Sequence, residues 1–139
     1  NITAARLRGE TMSHAAWQHT SGIRAQLRAQ WQALFHEVDV ILCPPMPTPA
    51  FPHDHSPERT REIEIDGRRV PYVNQVAWAA VATLVGLPAT VAPIGHSESG
   101  LPIGVQIIGG YLDDHTTIAF AGLIERTFGG FTPPPNFAI

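Results

Sequence analysis

The chain has 139 residues, of which 44% are apolar, enough to build one hydrophobic core in one domain or in a piece of a larger domain. Nine basic residues against twelve acidic ones leave a net charge of −3, so there is no basic surplus for binding nucleic acid phosphates. The apolar runs are too short to cross a bilayer, and we expect neither a membrane nor a nucleic acid partner.

The first half of the chain predicts a helix, a strand and a loop. From Ser13 to Val38 apolar residues recur every three or four positions, which is typical of a long amphipathic helix, here capped by Ser13. The apolar run from Asp39 to Cys43 predicts a strand that is covered on both faces. Six prolines between positions 44 and 57 exclude a helix or a central strand and predict a semi-rigid loop.

The second half begins with a hairpin signal. An Asp-Gly pair at positions 66 and 67 lies between two alternating segments, so residues 63–70 are predicted to form an exposed hairpin. Helical spacing from Val73 to Leu84 then predicts a helix that ends at Gly86. Because its opposite face is also apolar, we expect this helix to be buried on more than one side.

Two strands and a last helix follow. Residues 89–92 and 103–108 read as strands, and the connection between them is too short for a crossover helix, so they should pair antiparallel. Asp113 or Asp114 is expected to cap a helix that stops at the glycines 129–130. The order of elements predicts the α/β class, with a mixed sheet flanked by helices.

Three groups of reactive side chains have a plainer alternative. Cys43, the single cysteine, excludes an internal disulfide and fits the cytoplasm, which we predict as the location; a Cys-His nucleophile is possible, but a structural thiol is favoured at the end of an apolar strand. The consecutive residues 53–55 (His-Asp-His) cannot easily converge on one metal ion. The hydroxyls of residues 97–100 are typical of an exposed turn. We therefore predict no metal site and no cofactor.

Gly104 is an unusual residue for the interior of a strand. Without a side chain it allows another backbone, a helix or a ligand to come close. The strand at 103–108 is therefore expected to border a site or a tight packing contact.

The segments "GLPATVAPIG" and "GLPIGVQIIGGYLDD" together resemble the C-terminal region of the amidase signature family. The segment "DVILCPPMPTPAF" is similar to the strand and proline loop that precede that region, and the resemblance runs from about Ser13 to Ile124. It implies the C-terminal part of the amidase signature fold. We thus expect residues 1–139 to be a single fragment, in agreement with a chain that begins at Asn1 rather than at Met.

The resemblance also implies a reaction, the hydrolysis of carboxamide C–N bonds by a Ser-Ser-Lys triad beside a Gly-Ser-rich loop. The chain contains no lysine and no such loop, so the catalytic residues are expected outside it and the chain alone is expected to be inactive. Its contribution would be sheet strands and part of a substrate-pocket wall, for which Gly104, Gln106 and Trp78 are the candidates. Thr83 and Cys43 depart from residues that are frequent in the family.

The partners implied are the upstream catalytic part of the same enzyme, or a second copy through self-association, and a small amide substrate. One alternative is a stand-alone binding or assembly module of the same fold, without catalysis. Another is a hydrolase that uses Cys43 as its nucleophile.

Overall fold

A computed structural model describes residues 2–134 of the chain. The helices are α1 (Ile2–Glu10), α2 (His14–Leu34), α3 (Ala77–Val85) and α4 (Asp114–Phe128). The strands are β1 (Ile41–Cys43), β2 (Glu62–Ile65), β3 (Arg68–Pro71), β4 (Ala89–His96) and β5 (Pro102–Ile108). Short 3-10 helices span Glu58–Thr60 and Tyr72–Val76. Among the described residues, no helix combines the length and the apolar character needed to span a membrane.

The main sheet has three strands in the order β1-β5-β4. The predicted antiparallel pairing of the last two strands is confirmed, and β1 also runs antiparallel to β5. Strand β4 is longer than predicted, continuing through a register shift between Pro93 and Gly95 to His96. The arrangement confirms the α/β class with a sheet flanked by helices, and the strand pairs in the described part of the chain are all antiparallel.

Strand β5 is the centre of the core because its side chains are buried on both faces of the sheet. Ile108 packs with Ala82 and Val85 of α3, and residues of α2 lie against this cluster. Ile107 points to the opposite face, as alternation along a strand requires, and packs with Ile124 of α4. The sheet therefore lies between the α2–α3 pair on one face and α4 on the other.

The first predicted helix and strand are shorter than expected. Ser13 caps α2 as predicted, since its hydroxyl accepts a hydrogen bond from the Ala16 N–H. The helix ends at Leu34, however, and β1 begins only at Ile41. The prediction that this strand is covered on both faces is wrong: Leu42 is 49% exposed, because β1 is an edge strand and α4 packs over β4 and β5.

The predicted hairpin is confirmed as β2 and β3. Asp66 and Gly67 form its turn with φ angles of 50° and 73°, the left-handed conformation that a two-residue hairpin turn requires.

Helix α3 ends at Gly86, as predicted, with a φ angle of 71°. Its first predicted turn is instead a 3-10 helix. The prediction that α3 is buried on more than one side is wrong, because Trp78 and Leu84 are exposed on the side that faces away from the sheet and nothing in the described residues covers them.

Helix α4 begins after Asp113, one of the two predicted caps, and ends before Gly129, whose φ angle is 96°. The Asp113 carboxylate accepts a hydrogen bond from the Thr116 hydroxyl rather than from a backbone N–H. Helix α1 is not predicted by periodicity, because its sequence lacks a continuous apolar stripe. Residues 135–139 of the C-terminal tail lie outside the described residues.

Candidate functional site

Two neighbouring cavities lie beside the proline loop that follows β1. The first, here called the Gly104 cavity, has a volume of about 400 Å³ and lies between residues 44–50 and the start of β5 at residues 102–104. The second, here called the hairpin cavity, has a volume of about 450 Å³ and lies between residues 48–52, the hairpin and the β4–β5 turn. Residues 48–50 line both cavities and form a shared wall. Both volumes are in the range of small-molecule pockets.

The sequence builds this region from rigid pieces. Prolines restrict the loop to extended backbone, so its side chains stand out without a helix or a sheet. The β4–β5 turn opposite is held by the Ser97 N–H, which donates to Leu101 O, and by Ser97 Oγ, which accepts from the Leu101 N–H. The cavities therefore lie between two segments that are fixed by local chemistry.

The hairpin cavity combines an apolar floor with an acidic rim. Phe51 and Tyr72 meet edge to face with ring centroids 6.0 Å apart. Asp54, Glu62 and Glu64 supply carboxylates to the lining. Such a lining provides hydrogen-bond acceptors around an apolar surface, which suits ligand binding rather than bond cleavage. No pattern in the sequence pointed to Phe51 or Tyr72, which come together only through the fold.

The Asp54 carboxylate lies in a local turn that stabilises its charged form. Hydrogen bonds from the side chain and the backbone N–H of Ser56 lower its pKa below the ordinary value of 3.8, and the N–H lies 2.8 Å from Oδ1. A carboxyl with a lowered pKa stabilises the folded turn above its ordinary pKa. That contribution is lost as the pH falls through the lowered value.

We expect Ser56→Ala to raise the pKa of Asp54 part of the way back toward its ordinary value, because the side-chain hydrogen bond is removed and the backbone one remains. Carboxyl titration by NMR measures this shift. Thr60→Ala is the matched control, since its hydroxyl donates to Pro57 O and not to Asp54. An unchanged pKa in Ser56→Ala would contradict the assigned cause.

The predicted pocket-wall residues lie on or beside β5. Gly104 lines the cavity that carries its name. A Cβ at this position would lie 3.0 Å from Val91 Cγ1 and 3.3 Å from Ala92 O, so the close approach expected at this glycine comes in part from the neighbouring strand. Gln106 and Trp78 are brought together: Gln106 Nε2 donates to the Trp78 carbonyl at 3.3 Å. Neither of these two residues lines the cavities described above.

Cys43 lies directly opposite Gln106 in the sheet, and its sulfur accepts a hydrogen bond from Gln106 Nε2 at 3.1 Å. The partner of the thiol is thus a neutral amide rather than an imidazole. A neutral amide does not supply the base or the positive charge that activates a cysteine nucleophile. The geometry favours the structural interpretation of Cys43.

The other reactive side chains form no catalytic group. The rings of His53 and His55 stack with centroids 6.0 Å apart, and the described residues contain no group of three or more His, Cys, Asp or Glu side chains placed to hold a metal ion. The hydroxyls of Ser97 and Ser99 lie 2.9 Å apart and hydrogen-bond each other in the turn. The described residues therefore provide walls for a ligand and no paired nucleophile and base.

A helix-layered sheet with cavities between its proline loop and its β4–β5 turn defines a piece of an α/β enzyme scaffold. The family model described as Amidase matches residues 2–118, and the chain belongs to this family. The match confirms the family resemblance seen in the sequence.

Two curated relatives show how much of the family the chain represents. Human fatty-acid amide hydrolase 2 is 33% identical over 125 residues, which are 90% of this chain and 21% of that protein. A subunit of the glutamyl-tRNA(Gln) amidotransferase of Zymomonas mobilis subsp. mobilis is 36% identical over 114 residues, which are 82% of this chain and 21% of that protein. The chain spans about a fifth of the length of these relatives.

Solved structures agree with this placement. The crystal structure of an amidase matches with a TM-score of 0.72 and 26% identity, covering 92% of this chain and 28% of that one. An inhibitor-bound vestigial protein complex, described as revealing the origins of an s-triazine catabolic enzyme, matches with a TM-score of 0.70 and 25% identity, covering 89% and 26%. The predicted fold is therefore confirmed as a part of the amidase fold.

Proposed function

We propose that this chain is the C-terminal segment of an amidase-family hydrolase that cleaves carboxamide C–N bonds. The segment contributes the β1-β5-β4 sheet and part of the substrate-pocket wall, and the Ser-Ser-Lys triad lies in the remaining polypeptide. The observation that carries the proposal is the family match over residues 2–118 in a chain that spans about a fifth of its relatives. The complete enzyme is proposed to act in the cytoplasm on a small amide.

The composition of the chain supports this division of labour. Amide hydrolysis by a serine needs a base to take its proton and donors to hold the oxyanion. The 139 residues contain no lysine, and the serines Ser97 and Ser99 bond to each other rather than to a base. What the segment offers is a pair of adjoining cavities of suitable size.

The 139 residues alone are expected to show no turnover of a panel of aliphatic and aryl carboxamides, because no base is paired with a nucleophile. The longest polypeptide that carries this segment is expected to hydrolyse at least one of them. Ammonia or amine release measures both. The Cys43→Ala variant is the control for a cysteine hydrolase: turnover by the segment that this change abolishes would replace the proposal with the Cys43 mechanism.

A stand-alone binding or assembly module is the second candidate, and an exposed apolar groove favours it. The groove lies between α2 and α3, has a volume of about 270 Å³ and is lined by Trp17, Ile23, Leu27 and Leu84 among others. Mixing the segment with the remaining polypeptide separates the two candidates. Restored amide hydrolysis supports the hydrolase segment, whereas self-association with no effect on hydrolysis supports the module.

A further inference from the structure

The side chain of Gln106 is buried, with 5% of its surface exposed, yet one end of its amide is unused. Its Nε2 donates to Cys43 Sγ at 3.1 Å and to Trp78 O at 3.3 Å, which occupies both N–H groups. Because a backbone carbonyl can only accept, the Trp78 contact determines which end of the amide is the nitrogen. The carbonyl oxygen, Oε1, has no hydrogen-bond partner in the described part of the chain.

This oxygen is not sealed inside the protein. Within residues 2–134, the buried side-chain polar atom that lacks a partner is Thr48 Oγ1, so Gln106 Oε1 keeps some access to the surface. The residues around it are open: Val91, the partner of Gln106 on β4, is 55% exposed, and Trp78 is 41% exposed. A fixed acceptor beside exposed apolar groups is the arrangement that orients ligands in small-molecule sites.

The position of Gln106 relates it to the Gly104 cavity. Gly104 lines that cavity and lies two residues before Gln106 on the same face of β5. Two residues of strand span about 7 Å. A small carboxamide seated at the mouth of the cavity can therefore reach the Gln106 carbonyl.

We infer that Gln106 Oε1 accepts a hydrogen bond from the N–H of the scissile amide in the bound substrate. The inference rests on the proposed amidase function and adds a substrate class to it, namely amides whose nitrogen carries hydrogen. An ester or an N,N-disubstituted amide would leave the Gln106 acceptor unpaired and would be discriminated against. Cys43 and the Trp78 carbonyl act as positioning groups, because they hold the amide nitrogen and so orient the oxygen.

The test compares two probes with the same acyl group, butyryl 4-nitroanilide and 4-nitrophenyl butyrate, in the complete enzyme. The first has an N–H at the scissile bond and the second has an oxygen. Gln106→Met keeps the length of the side chain and removes the acceptor. We expect kcat/KM for the anilide to fall about tenfold, with kcat/KM for the ester within about twofold of its original value.

Gln30→Met makes the same chemical change on the exposed surface of α2 and is the matched control. If Gln106→Met does not fold, Gln106→Asn serves instead, since it withdraws the carbonyl by one methylene and stays neutral. Equal losses with both probes, or a lower melting temperature with an unchanged anilide-to-ester ratio, would assign the oxygen to a structural contact and overturn the inference. A wild-type enzyme that hydrolyses neither these probes nor any carboxamide would overturn the proposed function as well.

Discussion

Gly109→Ala is expected to destabilise the protein by about 3 kcal/mol, the upper part of the range for overpacking a core. A Cβ at this buried position would lie 2.6 Å from Thr117 Cγ2 and 3.3 Å from Asp113 O. Thr117 cannot easily move away, because it is 1% exposed and its hydroxyl hydrogen-bonds both Thr90 Oγ1 and Asp114 O at 2.9 Å. The glycine thus allows the end of β5 to pack against the start of α4.

The free energy of unfolding, from urea denaturation of the protein that carries this segment, measures the effect. Gly22→Ala is the matched control: the same change in helix α2 meets nothing within 4 Å. There it is expected to stabilise the protein by about 0.5–1 kcal/mol, because alanine loses less backbone entropy than glycine in a helix. A Gly109→Ala protein as stable as the unchanged one would contradict the contact with Thr117.

Ile107→Ala is the second substitution with a large expected effect, about 2–5 kcal/mol of lost stability. Ile107 has no exposed surface and packs with Ala92 and Ile124 between the sheet and α4. The substitution removes apolar contacts and leaves a cavity that the surrounding strands cannot close. Denaturation of the same protein measures the loss.

Leu42→Ala provides the comparison, because Leu42 is the cross-strand partner of Ile107 and is 49% exposed. Its expected cost is about 1 kcal/mol, since only half of its surface leaves water on folding. Equal costs at the two positions would contradict the edge position of β1 and would show that another part of the complete protein covers Leu42.

Two arginines on α2 explain how α3 is held over the sheet. Arg24 and Arg28 donate through Nε to the carbonyls of Leu84 and Val85 at 2.6 and 2.7 Å. These carbonyls belong to the last turn of α3, where a cation is also favoured by the helix dipole. The Arg28 guanidinium lies 4.1 Å from the centre of the Tyr111 ring, which joins the same cluster to the loop after β5.

The placement of Gln106 depends on this framework. Trp78, whose carbonyl accepts from Gln106, lies in the first turn of α3, and Cys43 is the last residue of β1. The three residues therefore join a helix to two strands at one point of the sheet. A change that shifted α3 would move the Gln106 carbonyl, which connects the packing of the core to the proposed recognition of the amide N–H.

Local chemistry was readable from the sequence wherever one or two residues decide the backbone conformation. The Ser13 cap, the Asp66-Gly67 turn and the ends of helices at Gly86 and Gly129 were all predicted, because each depends on a side-chain acceptor or on a positive φ angle within a few residues. The family was also readable, since its two Gly-Leu-Pro segments lie in continuous stretches.

The tertiary structure alone decided which faces are buried and which side chains meet. Periodicity showed that α3 and β1 carry apolar residues on more than one face, but not that Leu84 and Leu42 would be exposed. Gln106 was a candidate by its position, whereas its bonds to Cys43 and Trp78 join residues 63 and 28 positions apart. Contacts over such separations depend on how whole elements pack after the chain has closed its loops, and no local pattern in the sequence encodes that packing.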